Sequence, residues 1–165
     1  MNIRTASKKD INQITEIYNQ AVEAGYKTAD TNPRSTKEMT EWLKNHTPGK
    51  YPVWIAEENQ SIVGYLSLSP HRPGRHALRY TAEVSYYAYF DHHRKGVASQ
   101  LMNHALNQCR NLEIKTLFAI LLESNTPSIA LLEKFNFKKW GALPRVADFN
   151  GEEIGQVYYG LRVYE

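Results

Sequence analysis

The sequence predicts an α/β protein with one mixed central β-sheet of about seven strands flanked by helices. Three observations predict it. Strand-like and helix-like segments follow one another as β-α-α-β-β-β-α-β-α-β-β. Two of the early strands are separated by only a short polar turn, which demands antiparallel pairing. Later strands alternate with helices, and these act as crossovers between strands of one sheet.

In chain order, residues 2–6 (NIRTA) read as a short first strand, and Ser7 with Asp10 has the form of a capping box. That box opens a helix whose apolar stripe is Ile11, Ile14, Ile17 or Tyr18, and Ala21. A second box, Ser35 with Glu38, opens a shorter helix carrying Met39, Trp42 and Leu43. PVWIAE (52–57), the turn ENQ and SIVGYLSLS (61–69) form a hairpin. PHRPGRHAL (70–78) has the prolines and glycine of a loop, and residues 80–90 form a third long strand.

The helix over 96–112 shows Val97, Leu101, Ala105, Cys109 and Leu112 on one stripe. TLFAILL (116–122) is apolar without alternation, the pattern of a strand covered on both faces. Residues 126–135 form a helix with Thr126 as its cap and Pro127 in its first turn. KKWGALPR (138–145) and QVYYGLRV (156–163) end the sheet, joined through an Asn150–Gly151 turn.

The 165 residues suffice for one domain, 1–165, with 42% apolar and 12% aromatic content to build its core. A formal charge of +3 is scattered rather than blocked, well short of a nucleic-acid-binding tail, and by itself suits a small anionic ligand as readily as RNA; the partner expected is a small-molecule amine, with no nucleic acid and no membrane. No apolar run approaches the roughly 18–20 residues that span a membrane. The start, MNIRTASKKD, lacks an apolar signal core, and the single cysteine, Cys109, rules out a disulfide within the chain. A cytoplasmic protein is expected. No metal site is expected, because His92 and His93 are neighbours that point apart and no His-Glu-x-x-His motif accompanies them.

DHHRKGVASQLM (91–102) joins the third long strand to a helix through positive charge and one glycine. A helix start presents unpartnered N–H groups and the positive end of the dipole, which together suit phosphate. Gly96 frees the backbone for close approach, and Arg94 and Lys95 add charge. An ordinary basic turn explains the same residues equally well. Neither Gly-x-x-x-x-Gly-Lys-Ser/Thr nor Gly-x-Gly-x-x-Gly is present. About thirty residues on, a second strand–loop–helix places Asn125 at another helix start, the arrangement with which open α/β sheets hold extended ligands.

HRKGVA (93–98), followed by NTPSIALLEKFNF (125–137), resembles the acetyl-CoA signature of the GNAT-type N-acetyltransferases. IYNQAVEAG (17–25), DTNPRST (30–36), YPVWIAEE (51–58), RYTAEVSYY (79–87) and GALPRVADFNG (141–151) are similar, in order and spacing, to the phosphinothricin and methionine sulfoximine acetyltransferase branch. The resemblance spans essentially the whole chain. It implies an acyl-CoA N-acyltransferase-like fold, a homodimer, and acetyl transfer from acetyl-CoA to the primary amine of a small amino-acid-like substrate by direct attack.

The resemblance also implies site roles. The pantetheine arm would pair with the backbone of Tyr86, Tyr87 and Ala88. The pyrophosphate would sit on the turn of His93, Arg94, Lys95, Gly96, Val97, Ala98 and Ser99, with Asn125 and Ser128 against the arm. Glu83 would be the general base, and Arg72, Pro73, Gly74, Arg75, Arg79, Val84 and Ser85 would join it around the substrate, Arg72 first for a carboxylate.

The chain departs from the family pattern at His93 and Asn136, at Leu132 where many relatives carry a tyrosine or histidine poised to reprotonate the thiolate, at Ala29 where an aromatic is expected, and in EEIGQ (152–156); by the resemblance the last two changes touch the substrate pocket. A protein or peptide amine, a polyamine, an aminoglycoside, or a CoA-binding module without catalysis remain alternative readings.

Overall fold

The computed structural model describes residues 1–165. Its strands are β1 (Asn2–Thr5), β2 (Val53–Glu58), β3 (Ser61–Pro70), β4 (Thr81–Ala88), β5 (Thr116–Leu122), β6 (Lys138–Phe149) and β7 (Glu152–Arg162). Its helices are α1 (Ile11–Glu23), α2 (Thr36–Lys44), α3 (Val97–Gln108) and α4 (Thr126–Lys134). All seven strands form one mixed sheet in the order β1-β2-β3-β4-β5-β7-β6, as the alternation of segments predicts. Every neighbouring pair is antiparallel except β4–β5.

The helices cover both faces. On one face Ile11, Ile14 and Ile17 of α1 and Met39 of α2 pack on Val53, Ile55, Ile62 and Tyr65. On the other, Val97, Leu101, Met102 and Ala105 of α3, with Cys109 and Leu132, pack on Trp54, Leu66, Leu68, Val84 and Leu117. Each fully buried Leu or Ile contributes roughly 1.5–3 kcal/mol relative to exposure. Burial pushes the Cys109 thiol up to about 12, so it behaves as a small apolar side chain.

Local chemistry sets the boundaries. The Ser7–Asp10 box caps a 3-10 turn over Lys8–Asp10, and α1 follows at Ile11. Asp10 is buried and held below the usual carboxylate range, first by the Arg4 guanidinium, with which it forms a paired 2.9 Å bridge. The Ser35–Glu38 box caps α2 reciprocally. The helix expected over 96–112 stops at Gln108, and Cys109 to Glu113 form turns before β5. The cap of α4 is Asn125, not Thr126: the Asn125 side chain accepts from the Ser128 N–H, and Thr126 is already helical. The last two strands run longer than expected. They meet at Asn150 (φ 56°) and Gly151 (φ 96°), the left-handed pair that a two-residue hairpin requires.

Candidate active site

β4 and β5 pair over only three positions, Thr81 with Thr116, Ala82 with Leu117 and Glu83 with Phe118. Beyond them β4 stays bonded to β3 as far as Ala88, and β5 stays bonded to β7 as far as Leu122. The two strands therefore part after Glu83, leaving the β5-facing backbone edge of residues 84–88 without a strand partner. A buried backbone edge needs hydrogen-bond partners, so a gap of this kind is a place for an extended ligand with amides of its own.

The gap opens into a cleft of about 270 Å³ lined by Glu83, Val84, Ser85, Tyr86, Tyr87, residues 119–122, Asn125, Ser128 and Gln156, with Lys27, Thr28 and Ala29 across it. Side chains of β4 alternate between faces. Tyr86 and Ala88 pack toward the α3 side, whereas Tyr87 and Tyr89 pack toward α1. By the same alternation Glu83 and Ser85 share the α1 side with Tyr87. Residues from both sides of β4 line the cleft because it passes through the sheet.

At the far end of β4 the chain turns through 91–96 into α3. Gly96 is the residue before the helix and lies in the left-handed region (φ 81°). A Cβ there would meet only Gln100 Nε2, at 4.0 Å, so within the chain itself it is the left-handed conformation that calls for glycine. No side chain caps this helix. The first intrahelical bond runs from Gln100 N–H to the Gly96 carbonyl (3.0 Å), which leaves the N–H groups of Val97, Ala98 and Ser99 without an intrahelical acceptor. Arg94 also has positive φ (62°) and, with Lys95, is exposed. The His93 ring turns back to the Ala88 carbonyl (3.0 Å), tying the turn to the end of β4. Lys134 of α4 reaches the Ser99 hydroxyl (3.2 Å), so a third cation stands at this helix start.

A residue that sequence reasoning missed positions this turn. Gly64 of β3 lies beneath Val97, and a Cβ on it would stand 2.6 Å from Val97 Cγ1 and 3.0 Å from the Tyr87 carbonyl oxygen. Its signal in the sequence is faint: a glycine inside a strand marks close approach, without saying of what.

Glu83 sits where the strands part. Burial raises its pKa above the usual carboxylate value of 4.5. Arg79 lies over the Tyr80 ring (4.1 Å) and donates to the His76 carbonyl (3.1 Å). The predicted substrate residues divide into two groups. Glu83, Val84 and Ser85 line the cleft. Arg72, Pro73, Gly74, Arg75 and Arg79 line a separate hollow of about 400 Å³ with His71, His76 and Tyr51. One tie between the two is the His71 ring, edge-on to Phe118 at 4.8 Å; Phe118 is the register partner of Glu83.

The segment 27–29, of which the resemblance set Ala29 at the substrate pocket, is held over the cleft by a polar brace. Tyr18 of α1 hydrogen-bonds the Thr28 hydroxyl (3.1 Å) and the Asp30 carboxylate. Arg34 grips the same carboxylate through Nε (2.9 Å) and a terminal nitrogen (3.1 Å), and this pairing holds Asp30 below the usual carboxylate range. Asn19 of α1 exchanges two 2.8 Å bonds with the Arg34 backbone. Residues 119–122 of β5 were expected to be covered on both faces, yet Ile120 and Leu121 are half-buried because β5 borders the cleft. Leu132 is fully buried (0% exposed) and belongs to the core.

Residues 12–137 match the model of the Acetyltransferase (GNAT) family. The chain belongs to this family. Among its relatives, YwnH of Bacillus subtilis (strain 168), a candidate phosphinothricin acetyltransferase, is 36% identical over 92% of this chain and 93% of its own. An L-methionine sulfoximine/L-methionine sulfone acetyltransferase of Salmonella typhimurium is 30% identical over 100% and 96%. A phosphinothricin acetyltransferase of the GNAT superfamily from Sinorhizobium meliloti, solved in complex with acetyl-CoA, superposes with a TM-score of 0.90 at 27% identity, covering 97% of this chain and 86% of its own. In the GNAT frame, acetyl-CoA is the co-substrate, and the parted strands and open helix start are features into which an extended thioester fits.

Proposed function

We propose that this acetyltransferase moves the acetyl group of acetyl-CoA to the primary amine of a small amino-acid-like substrate of the phosphinothricin or methionine sulfoximine type. The observation that carries the reading is Glu83: a half-buried carboxylate, its pKa raised toward neutrality, at the point where an unpaired strand edge opens. An attacking amine must lose its proton, and a carboxylate shifted upward is better matched to take it at neutral pH.

In this reading the free backbone edge of Tyr86, Tyr87 and Ala88 pairs with the pantetheine arm. The N–H groups of Val97, Ala98 and Ser99 take the pyrophosphate, with Arg94 and Lys95 beside them and His93 and Gly96 shaping the turn. Asn125 and Ser128 border the arm from the first turn of α4. Both reactants are held in one cleft, so alignment supplies much of the rate. The amine nitrogen attacks the thioester carbon directly, and its proton passes to Glu83 itself or through a water. The substrate lies against Glu83, Val84 and Ser85 beneath the 27–29 segment. Arg72, Arg75 and Arg79, on the loop with Pro73 and Gly74, draw an anionic substrate toward the site and disfavour polyamines.

The 165 residues act as one catalytic unit in the cytoplasm, a placement supported by the single buried thiol. A homodimer is supported by β6, one of the two edge strands, on which Trp140 (56% exposed), Leu143 (42%) and Val146 (53%) present apolar surface along an open edge.

The test is thiol release from acetyl-CoA with a panel of amines, beginning with methionine sulfoximine and methionine sulfone and including a polyamine, an aminoglycoside and a peptide. Turnover confined to the amino-acid analogues supports the reading. Preference for the cationic amines, or CoA binding without turnover on any amine, overturns it.

A further inference from the structure

Position 132 holds a leucine whose side chain is fully buried in the core, so α4 offers no proton donor there to the sulfur of CoA. One turn earlier, α4 meets a hydroxyl that comes from the sheet. Tyr86 of β4 reaches across the gap between β4 and α4, where its hydroxyl hydrogen-bonds the Ser128 hydroxyl and approaches the Ser128 carbonyl (3.4 Å). Ser128 is itself fixed, because its N–H donates to the Asn125 side chain that caps the helix. Tyr86, Ser128 and Asn125 all line the cleft.

Hydrogen counting gives this pair a further use. Two hydroxyls hold two protons, and their mutual bond consumes one. With Ser128 as the donor in that bond, the Tyr86 proton has only the Ser128 carbonyl as acceptor, at a long 3.4 Å, and a ligand atom in the cleft can take it over. Resting on the acetyl-transfer reading above, we propose that the Tyr86 hydroxyl, steadied by Ser128, is a catalytic group that donates a hydrogen bond to the sulfur departing from the thioester.

The role is donation and not full proton transfer. Burial pushes the Tyr86 phenol up to about 12, well above a free thiol near 8.5, so the phenol keeps its proton while the thiolate forms. The step balances as follows. The amine lone pair forms the C–N bond, and the electrons of the C–S bond go to sulfur. The amine proton goes to Glu83, and the thiolate stays hydrogen-bonded to Tyr86 until solvent protonates it. A hydrogen bond to a charged acceptor in a site shielded from water corresponds to a rate effect of about 10- to 100-fold.

The variant is Tyr86→Phe, which keeps the ring and its packing. The first readout involves no turnover: the CoA thiol is titrated by its thiolate absorbance in the binary complex of enzyme and CoA. A donated hydrogen bond favours the thiolate, so the bound thiol should titrate about one unit lower in the wild type than in the variant. The second readout compares acetyl-CoA with its selenoester analogue, whose selenolate is a weaker base and leaves with less help. Tyr86→Phe should slow the thioester reaction about 10- to 100-fold and the selenoester reaction far less, with the KM of the amine unchanged. Identical thiol titrations in the two enzymes, or equal slowing with both donors, overturn the proposal. Should Tyr86→Phe fail to fold, Ser128→Ala substitutes for it: it removes the support of the hydroxyl, and an unshifted thiol titration there also overturns the proposal. If the wild type acetylates no amine, the functional reading fails, yet the titration still decides the role of Tyr86 toward the sulfur.

Discussion

Gly64→Ala tests whether the seat of α3 on the sheet governs cofactor binding. The added methyl would stand 2.6 Å from Val97 Cγ1, 3.0 Å from the Tyr87 carbonyl oxygen and 3.4 Å from Ala88 Cα. Carbon pairs sit comfortably at roughly 3.5–4.0 Å, so the first contact is short by about 1 Å. Gly64 has negative φ, so no backbone strain is added, and the stiffer unfolded chain returns about 0.5 kcal/mol. Overpacking costs about 1–3 kcal/mol, which leaves a net loss of about 0.5–2.5 kcal/mol. For a chain of this length that lowers Tm by about 1–10 °C.

Val97→Ala alone costs about 2 kcal/mol, from two methylene equivalents of burial and a small cavity. In the double variant the clashing methyl is gone, so the loss should fall short of the sum by about 1 kcal/mol. Urea unfolding of the four proteins measures that coupling. Isothermal titration with CoA measures the second consequence: Val97 opens α3, so Gly64→Ala should weaken CoA about 5- to 10-fold, a loss of about 1–1.4 kcal/mol, and Val97→Ala should restore part of it. Additive stabilities together with unchanged CoA affinity would refute the link between this contact and the phosphate-binding turn.

Glu83→Gln should lower kcat about 10²- to 10⁴-fold at neutral pH, read from thiol release, and should abolish the acid limb of the wild-type rate profile. Burial raises the folded-state pKa of Glu83 above 4.5, so the native state holds the proton more tightly than the unfolded chain; its stabilising effect is present below about pH 4.5 and is lost as pH rises through the raised value. Glu83→Gln should therefore melt at a higher temperature than the wild type at pH 7, with the gap closing near pH 4. Gly96→Ala forces a side chain into φ 81° at a cost of about 1–2 kcal/mol, and equilibrium dialysis should find CoA bound about 5- to 30-fold more weakly. Arg34→Ala releases Asp30 and loosens the brace over the cleft; it should raise the KM of the amine several-fold while leaving that of acetyl-CoA unchanged in initial-rate measurements.

The parts of the fold that periodicity determines were legible in the sequence. Ile11, Ile14 and Ile17 mark the buried stripe of α1, and Val97, Leu101, Ala105 and Cys109 that of α3, because the 3.6-residue repeat has to match the face that is covered. Boundaries set by a single hydrogen bond were less legible. Asn125 and Thr126 are both competent caps, and only the bond to Ser128 N–H selects Asn125. The candidate site was legible where backbone forms it: the resemblance set the cofactor arm along Tyr86, Tyr87 and Ala88, and that edge of β4 has no strand partner, while the glycine before α3 marked the turn. It was not legible where loops fold back over long separations. Lys27, Thr28 and Ala29 reach the cleft through a brace between Tyr18, Asp30 and Arg34, and no local pattern announces it. The loop arginines were placed in the site from the resemblance, whereas their hollow lies apart from the cleft, since a loop sequence does not fix the direction in which its side chains turn.

The two-sidedness of β4 sets how this enzyme can change. Glu83, Ser85 and Tyr87 look toward the brace, while Tyr86 and Ala88 look toward α3, so under the proposed function one strand would serve the amine through side chains on one face and the cofactor through its backbone edge. In that reading, exchanges at 83 and 85 alter the amine's surroundings and spare the backbone edge of 86–88 that would hold the cofactor. A single inserted or deleted residue within 83–88 would exchange the two sets and disable both at once. Length is thus a stricter constraint on this strand than residue identity, and drift toward new amines is confined to substitution along one face.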